Sequence, residues 1–283
     1  MSSATLLISC PDQKGITASI TTFVYENNGN IEHADQHIDS ESNTFFMRIQ
    51  WSLTGFKIAK PDISENFSGL AEKFKMKWSL YFNDDTPKAA IFTSNSPHCL
   101  YDILLKYKQG YFNCQIPLII SNTDKTAKIA EDFGVKFFKF AKNAKNKAEV
   151  EKKEIALLKK ENIELVILAR YMRVLTSDFI KEFPNRIINI HHSFLPAFVG
   201  SNPYQKAYKR GVKIIGATSH YATEELDAGP IIDQDTVRVS HRDSLEDLKR
   251  EGQELERVVL SRAVRWHLER KILVYDNKTV IFD

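Results

Sequence analysis

The sequence predicts an α/β fold class in two parts. A split βαβ unit comes first, followed by an open α/β domain on a mostly parallel sheet. Three observations carry this. Up to Phe82 the apolar pattern runs strand, helix, strand, strand, helix, strand. Beyond Pro87 short apolar runs alternate with amphipathic stretches, the pattern of a parallel sheet with crossover helices. Between them lies the polar link Asn83-Asp84-Asp85-Thr86-Pro87. The expected domains are therefore residues 1–84 and 85–283. A length of 283 residues suits two domains of about 100–200 residues each.

In the first part, Leu6-Leu7-Ile8 marks a strand over Thr5–Ser9, and Cys10–Gly15 a turn. Ile16, Ile20, Phe23 and Val24 recur at helical spacing, which predicts a helix over 15–27. Asn27-Asn28-Gly29-Asn30 stops it, with Gly29 expected as the left-handed cap. Ile31–Asp39 and Thr44–Leu53 read as strands around a polar turn. Ile63, Phe67, Leu70, Ala71 and Phe74 predict a second helix over Asp62–Lys75, and Trp78–Phe82 closes the unit as a strand. This order is the ferredoxin-like one, α+β in character.

In the second part, strands are expected at Ala89–Thr93, Ile116–Ile120, Val135–Phe138, Leu165–Ala169 and Arg186–Ile190. Helices are expected at Cys99–Tyr107, Thr126–Asp132 and Lys147–Lys160. Lys213–His220 and Ile231–Val239 alternate polar and apolar residues, as an antiparallel pair at one side of the sheet does. Ser244–Glu269 is the longest helix, opened by a capping box of Ser244 and Asp247. Gly252 inside it costs about 1 kcal/mol relative to alanine, which points to a close packing contact. Ile272–Tyr275 and Thr279–Phe282 form a terminal hairpin. The lysine-rich run Lys142–Lys153 reads as a solvated helix start.

The totals exclude several function classes. A net charge of +3 is too small to argue for nucleic acid or a membrane surface as partner. No apolar run approaches the roughly 18 residues that span a bilayer. Cys10, Cys99 and Cys114 are odd in number and widely spaced, neither a disulfide framework nor a zinc pattern. No basic stretch followed by an apolar core opens the chain, so no secretory signal is expected. The expected location is the cytoplasm.

The chemistry-bearing stretch runs from Arg186 to Gln234. A buried strand ends in Asn189-Ile190-His191-His192-Ser193, and a later loop, Glu225-Leu226-Asp227-Ala228-Gly229-Pro230, carries one carboxylate. Residues i and i+2 of a strand share a face, so Asn189 and His191 reach one site. An amide donor stabilises an oxyanion, an imidazole moves a proton near neutral pH, and Asp227 orients the imidazole or a water. Spacing alone leaves a second reading open, in which the pair only caps neighbouring backbone. His192 and His241 would be further metal ligands beside His191 and Asp227. Adjacent strand histidines point opposite ways, however, and no metal site is expected.

The run Asn189–Phe198, with Gly216-Ala217-Thr218-Ser219-His220-Tyr221 and Glu225–Ile232, resembles the formyltetrahydrofolate-dependent formyl transfer family. The resemblance implies a Rossmann-like formyltransferase domain with Asn189, His191 and Asp227 as catalytic residues and His220 lining their pocket. Ile167–Leu175 resembles that family's folate-binding segment, which assigns Met172, Arg173, Val174 and Leu175 to the substrate. The Asp12-Gln13-Lys14-Gly15-Ile16-Thr17 turn resembles the ACT regulatory fold. It makes Asp12, Gly15, Asn28 and Asn30 candidate contacts for an amino-acid effector. An ACT domain ahead of a formyltransferase domain resembles the formyltetrahydrofolate deformylases over nearly the whole chain. So do Ile116–Asn122 and Val239–Asp243, although Lys139 and Phe140 depart from the pattern.

Within that family the loop Ser94-Asn95-Ser96-Pro97-His98 argues for water as acceptor. A phosphate cradle uses glycines to bring backbone N–H groups close, and no glycine occurs between Gly69 and Gly110. The RNA-binding module of the transferase acting on initiator tRNA is not expected either. The resemblance implies hydrolysis of 10-formyltetrahydrofolate to formate and tetrahydrofolate, supplying purine synthesis and balancing folate pools. It implies no separate cofactor, a folate as the small-molecule partner, and a homo-oligomer. The alternative is formyl transfer to an amine acceptor.

Overall fold

The computed structural model describes residues 2–197 and 203–283. It divides into two compact units. One holds the residues up to Thr86 together with Arg270–Leu273 and Val280–Asp283. The other holds Pro87–Glu269 and Val274–Thr279. The division falls beside the polar link, and the last residues of the chain return to the first unit.

The first unit contains β1 (Ser3–Pro11), α1 (Ile16–Glu26), β2 (Asn30–Asp39), β3 (Thr44–Ser52), α2 (Ile63–Lys73) and β4 (Lys77–Phe82), with a 3-10 turn at Lys60–Asp62. Its sheet has the order β2-β3-β1-β4 and is antiparallel throughout. Ala4, Leu6, Ile8, Met47 and Ile49 face Ile16, Ile20 and Val24 of α1 and Ile63, Phe67 and Ala71 of α2. The helical i, i+4 stripe and the strand alternation both point into this one core. β2 is an edge strand, exposed along nearly its whole length.

The second unit begins with β5 (Lys88–Thr93), α3 (His98–Lys108), β6 (Gln115–Ser121), α4 (Ala127–Asp132), β7 (Lys136–Lys139), α5 (Lys147–Lys160) and β8 (Leu165–Ala169). It continues with α6 (Ser177–Glu182), β9 (Ile187–His191), α7 (Pro203–Arg210), β10 (Ile214–Tyr221), β11 (Ile231–Arg238) and α8 (Leu245–Leu268). A hairpin of β12 (Ile272–Tyr275) and β13 (Lys278–Ile281) ends the chain. The seven-stranded sheet has the order β11-β10-β9-β8-β5-β6-β7. Strands β7, β6, β5, β8 and β9 are parallel, and β10 and β11 are antiparallel. From β5 the chain winds outward through β6 and β7, then returns to the other side of β5 for β8 and β9. That reversal opens a crevice at the carboxyl ends of β5 and β8, where open α/β sheets bind ligands.

Several expectations need correction. Asn28, not Gly29, takes the left-handed conformation, with φ 61°. Its short amide is held there by a 2.9 Å bond from Nδ2 to the Gly55 carbonyl. The run from Lys142 is not solvated at its start, because Lys142 is buried against Glu151 and Glu154. The short helices α6 and α7 are additional to the expected elements. Too few turns lie in either for a hydrophobic period to register, although Thr176 caps α6 by accepting from Phe179 N. The close contact expected at Gly252 is present, since a Cβ there would fall on the Tyr204 ring and hydroxyl. Phe198, which ends the Asn189 motif, lies outside the described residues.

Candidate active site

Three segments at the carboxyl edge of the sheet enclose a cavity of about 300 Å³. They are the end of β9, the loop after β8 and the loop between β10 and β11. Asn189, His191, His220, Asp227 and residues 172–175 all line it, so one place holds every catalytic and substrate residue expected from the sequence. Two of the loops carry non-glycine residues at positive φ, Arg170 at 59° and Asp227 at 57°. Such backbone costs on the order of 1–3 kcal/mol and persists where the surroundings impose it.

β9 presents Asn189 and His191 on one face, and β10 answers across the ladder with His220 opposite Asn189 and Thr218 opposite His191. The His220 Nδ1 lies 3.0 Å from the Tyr221 carbonyl, which accepts its proton. In the neutral ring Nε2 is then an acceptor, and Asn189 Nδ2 donates to it at 3.1 Å. This fixes the amide with its nitrogen inward and leaves a second N–H for a ligand. His191 Nδ1 faces Asp227 Oδ2 at 3.2 Å, and its Nε2 has no hydrogen-bond partner among the described residues. Burial raises the Asp227 carboxyl, but the hydrogen bond from His191 and the neighbouring His220 imidazole outweigh it and hold the group well below the usual carboxylate range. Asp227 is a fixed negative charge beside the imidazole.

The loops have their own support. Thr218 Oγ1 donates to the Ser193 carbonyl and accepts from Leu195 N and Gln234 Nε2, which ties down the turn after His191. Gly229 approaches the Tyr221 carbonyl so closely that a Cβ would fall on it, so the Asp227 loop closes only with glycine there. Met172 and Val174 are 57% and 52% exposed, Arg173 is also exposed, and Leu175 is buried. The two exposed apolar side chains and Leu226 line the cavity. The loop after β5 is occupied by its own side chains. Ser94 Oγ accepts from Met172 N and lies 2.6 Å from the Asn122 amide. With its nitrogen toward Ser94, Asn122 accepts from Arg173 Nε at 3.1 Å.

Strand alternation stops at His191. His192 also borders this cavity, with its ring 5.2 Å from that of His191 and 5.8 Å from that of Tyr204. Burial pushes the His192 imidazole down to about 4, and the nearby Arg170 guanidinium adds to the effect. Below pH 6.5 the unfolded chain takes up a proton that folded His192 refuses, so stability falls as pH drops toward 4. Between pH 7 and pH 5 this group is predicted to remove about 2 kcal/mol. Urea unfolding at the two pH values should show a drop larger by that amount in the wild type than in His192→Gln. Equal pH sensitivity in the two proteins would refute the assignment.

A second cluster was not expected from sequence. Glu256 is fully buried, lies 2.8 Å from His98 Nε2, accepts from Tyr204 OH at 2.6 Å, and forms an ion pair with Arg170, whose Nε is 3.3 Å away without a hydrogen bond. Its members are scattered along the chain. One signal was available, since Glu256 lies four residues after Gly252 and eight after Leu248, on the buried stripe of α8. Among the described residues His98, Cys99 and Glu256 are near enough to share an ion, but the Arg170 cation against Glu256 opposes that. Lys139 pairs with Asp124 and Phe140 packs on the core, so this departure from the family pattern lies off the cavity lining. The four effector candidates divide. Asp12 and Gly15 lie before α1, and Asn28 and Asn30 after it, so about 16 Å of helix separates the two pairs.

The comparisons agree with this architecture. Residues 4–50 match the ACT domain model, and residues 87–264 match that of the formyl transferases. A formyltetrahydrofolate deformylase of Synechocystis sp. is 55% identical over 279 residues, covering 99% of this chain and 98% of the relative. One from Bacillus subtilis is 46% identical, covering 98% and 93%. The crystal structure of a deformylase from Pseudomonas syringae superposes with a TM-score of 0.97 at 41% identity, over 100% of this chain and 95% of that one. With an ACT domain ahead of a formyl transferase domain and relatives of this identity along its length, the chain belongs to the formyltetrahydrofolate deformylase family.

Proposed function

We propose that the chain hydrolyses 10-formyltetrahydrofolate to formate and tetrahydrofolate. The observation that carries this is the convergence of Asn189, His191 and Asp227 on one cavity, with an N–H of Asn189 and Nε2 of His191 unpartnered among the described residues. Water adds to the formyl carbon. The free Asn189 N–H stabilises the oxygen that becomes negative. His191 Nε2 carries the proton delivered to the departing N10, and Asp227 supports the charge on the ring through Nδ1. Met172, Arg173, Val174 and Leu175 hold the folate ring at the rim. The cavity needs no metal or separate cofactor for these steps. Released formate feeds purine synthesis, and released tetrahydrofolate restores the one-carbon carrier pool.

The first domain binds a small-molecule effector, and copies of the chain associate; the exposed edge of β2 supports the second point. The site of action is the cytoplasm, a reading supported by three free, buried cysteines. Single-turnover mixing with 10-formyltetrahydrofolate and no amine is expected to release one formate per site. Formate or formyl product appearing only after an amine is added would replace hydrolysis by transfer.

A further inference from the structure

The segment that rims the folate cavity is anchored by groups that do not line it. It leaves β8 at Arg170, whose Nε lies 3.3 Å from the buried Glu256 carboxylate. Its middle is fixed where Met172 N donates to Ser94 Oγ at 3.2 Å. Its far end is fixed by Glu151 of α5, which is 1% exposed. Glu151 Oε2 accepts from Thr176 N at 3.0 Å and from the Thr176 hydroxyl in a very short bond. The same Thr176 oxygen accepts from Phe179 N and starts α6, so the residue is held from both sides.

Behind this contact lies a buried group of three charges. Lys142 Nζ is 3.2 Å from Glu151 Oε1 and 2.8 Å from Glu154 Oε2, and it sits over the Tyr171 ring at 5.4 Å. One lysine against two glutamates is a poor way to stabilise a core. Well-packed apolar side chains of similar volume usually do as well or better. What apolar side chains cannot do is accept a backbone N–H and a hydroxyl at one fixed point. A charged acceptor does this with shorter and stronger bonds than a neutral one.

We propose that Glu151 is a positioning residue for the folate: through Thr176 it fixes the trailing end of residues 172–175, and Lys142 holds the carboxylate in place. This rests on reading 172–175 as the folate-binding segment. Loosening the anchor lets the rim wander, which weakens substrate binding and leaves the groups at the formyl carbon where they are.

The test uses the full chain, with 5-formyltetrahydrofolate as a non-reacting probe of affinity and 10-formyltetrahydrofolate for kinetics. Glu151→Gln and Thr176→Val should each raise probe Kd and substrate KM about tenfold with kcat within about twofold, the mark of lost binding rather than lost chemistry. The double variant should lose less than the product of the two single effects, because both disturb the Glu151–Thr176 contact. Thr176→Ser, which keeps the hydroxyl, should match the wild type. Should Glu151→Gln fail to fold, Thr176→Val and Thr176→Ser carry the comparison alone. Variants that melt at lower temperature but keep Kd and KM within twofold would overturn the proposal, as would a fall in kcat at constant KM. Wild-type protein that binds no probe would sink the folate reading and this inference together. Wild-type protein that binds probe but releases no formate would sink only hydrolysis, with the affinity comparison still deciding the role of Glu151.

Discussion

Asp227→Asn is expected to lower turnover by about 10³, within the range for loss of positioned acid–base chemistry. Asp227 is nine-tenths buried and faces the His191 ring at 3.2 Å. Held well below the usual carboxylate range, it is an anion at every pH where the enzyme is tested. The amide keeps size and shape, and asparagine accepts the positive φ of this position readily. What changes is charge. The proton on His191 Nδ1 loses its anionic acceptor, and the amide N–H can turn toward the ring and select the wrong tautomer. The plateau of the pH–rate profile should therefore fall. For stability the sign is that of a depressed carboxylate, favourable above the unfolded-state value and lost only as pH falls through the lower folded one. Steady-state kinetics from pH 5 to 9 would check this, and a variant turning over within tenfold of wild type would remove Asp227 from the proton path.

Asn189→Ala is expected to lower turnover by about 10²–10³, the effect of deleting one oxyanion donor, roughly 3–4 kcal/mol. The free N–H of the amide is useful only because His220 holds the other one at 3.1 Å. Alanine removes both bonds, so His220 Nε2 is also left without its donor. Affinity for 5-formyltetrahydrofolate should stay near that of the wild type, because the amide acts where charge develops in the transition state. A loss confined to KM would make Asn189 a binding group instead.

Local periodicity made the shared face of Asn189 and His191 legible in the sequence, while the roles given to them, to Asp227, to His220 and to residues 172–175 came from the family resemblance. Asn189 and His191 share a face by strand alternation, and Gly229-Pro230 announces the loop that brings Asp227 back. The fold was legible for the same reason, from the alternation of strands and helices and the polar link before Pro87. What sequence left out depends on contacts between distant segments. The cluster of His98, Arg170, Tyr204 and Glu256 has one member on each of four elements or loops, and no spacing rule joins them. Lys142 looked solvated because lysine runs usually are, and only the fold brings two buried glutamates of α5 to it.

The antiparallel turn of β10 against β9 constrains how the chain can change in length. Asn189 is matched to His220 and His191 to Thr218 across this ladder. One residue inserted between Ile214 and Ser219 would send His220 to the opposite face and strand the amide it orients. The irregularity where β10 meets β11 falls between Ser219 and His220, just beside the matched pair, and lets β11 shift register without disturbing β9. Insertions and deletions are therefore confined to the connections around these strands, while the strands themselves measure out the spacing at which an amide, an imidazole and a carboxylate meet.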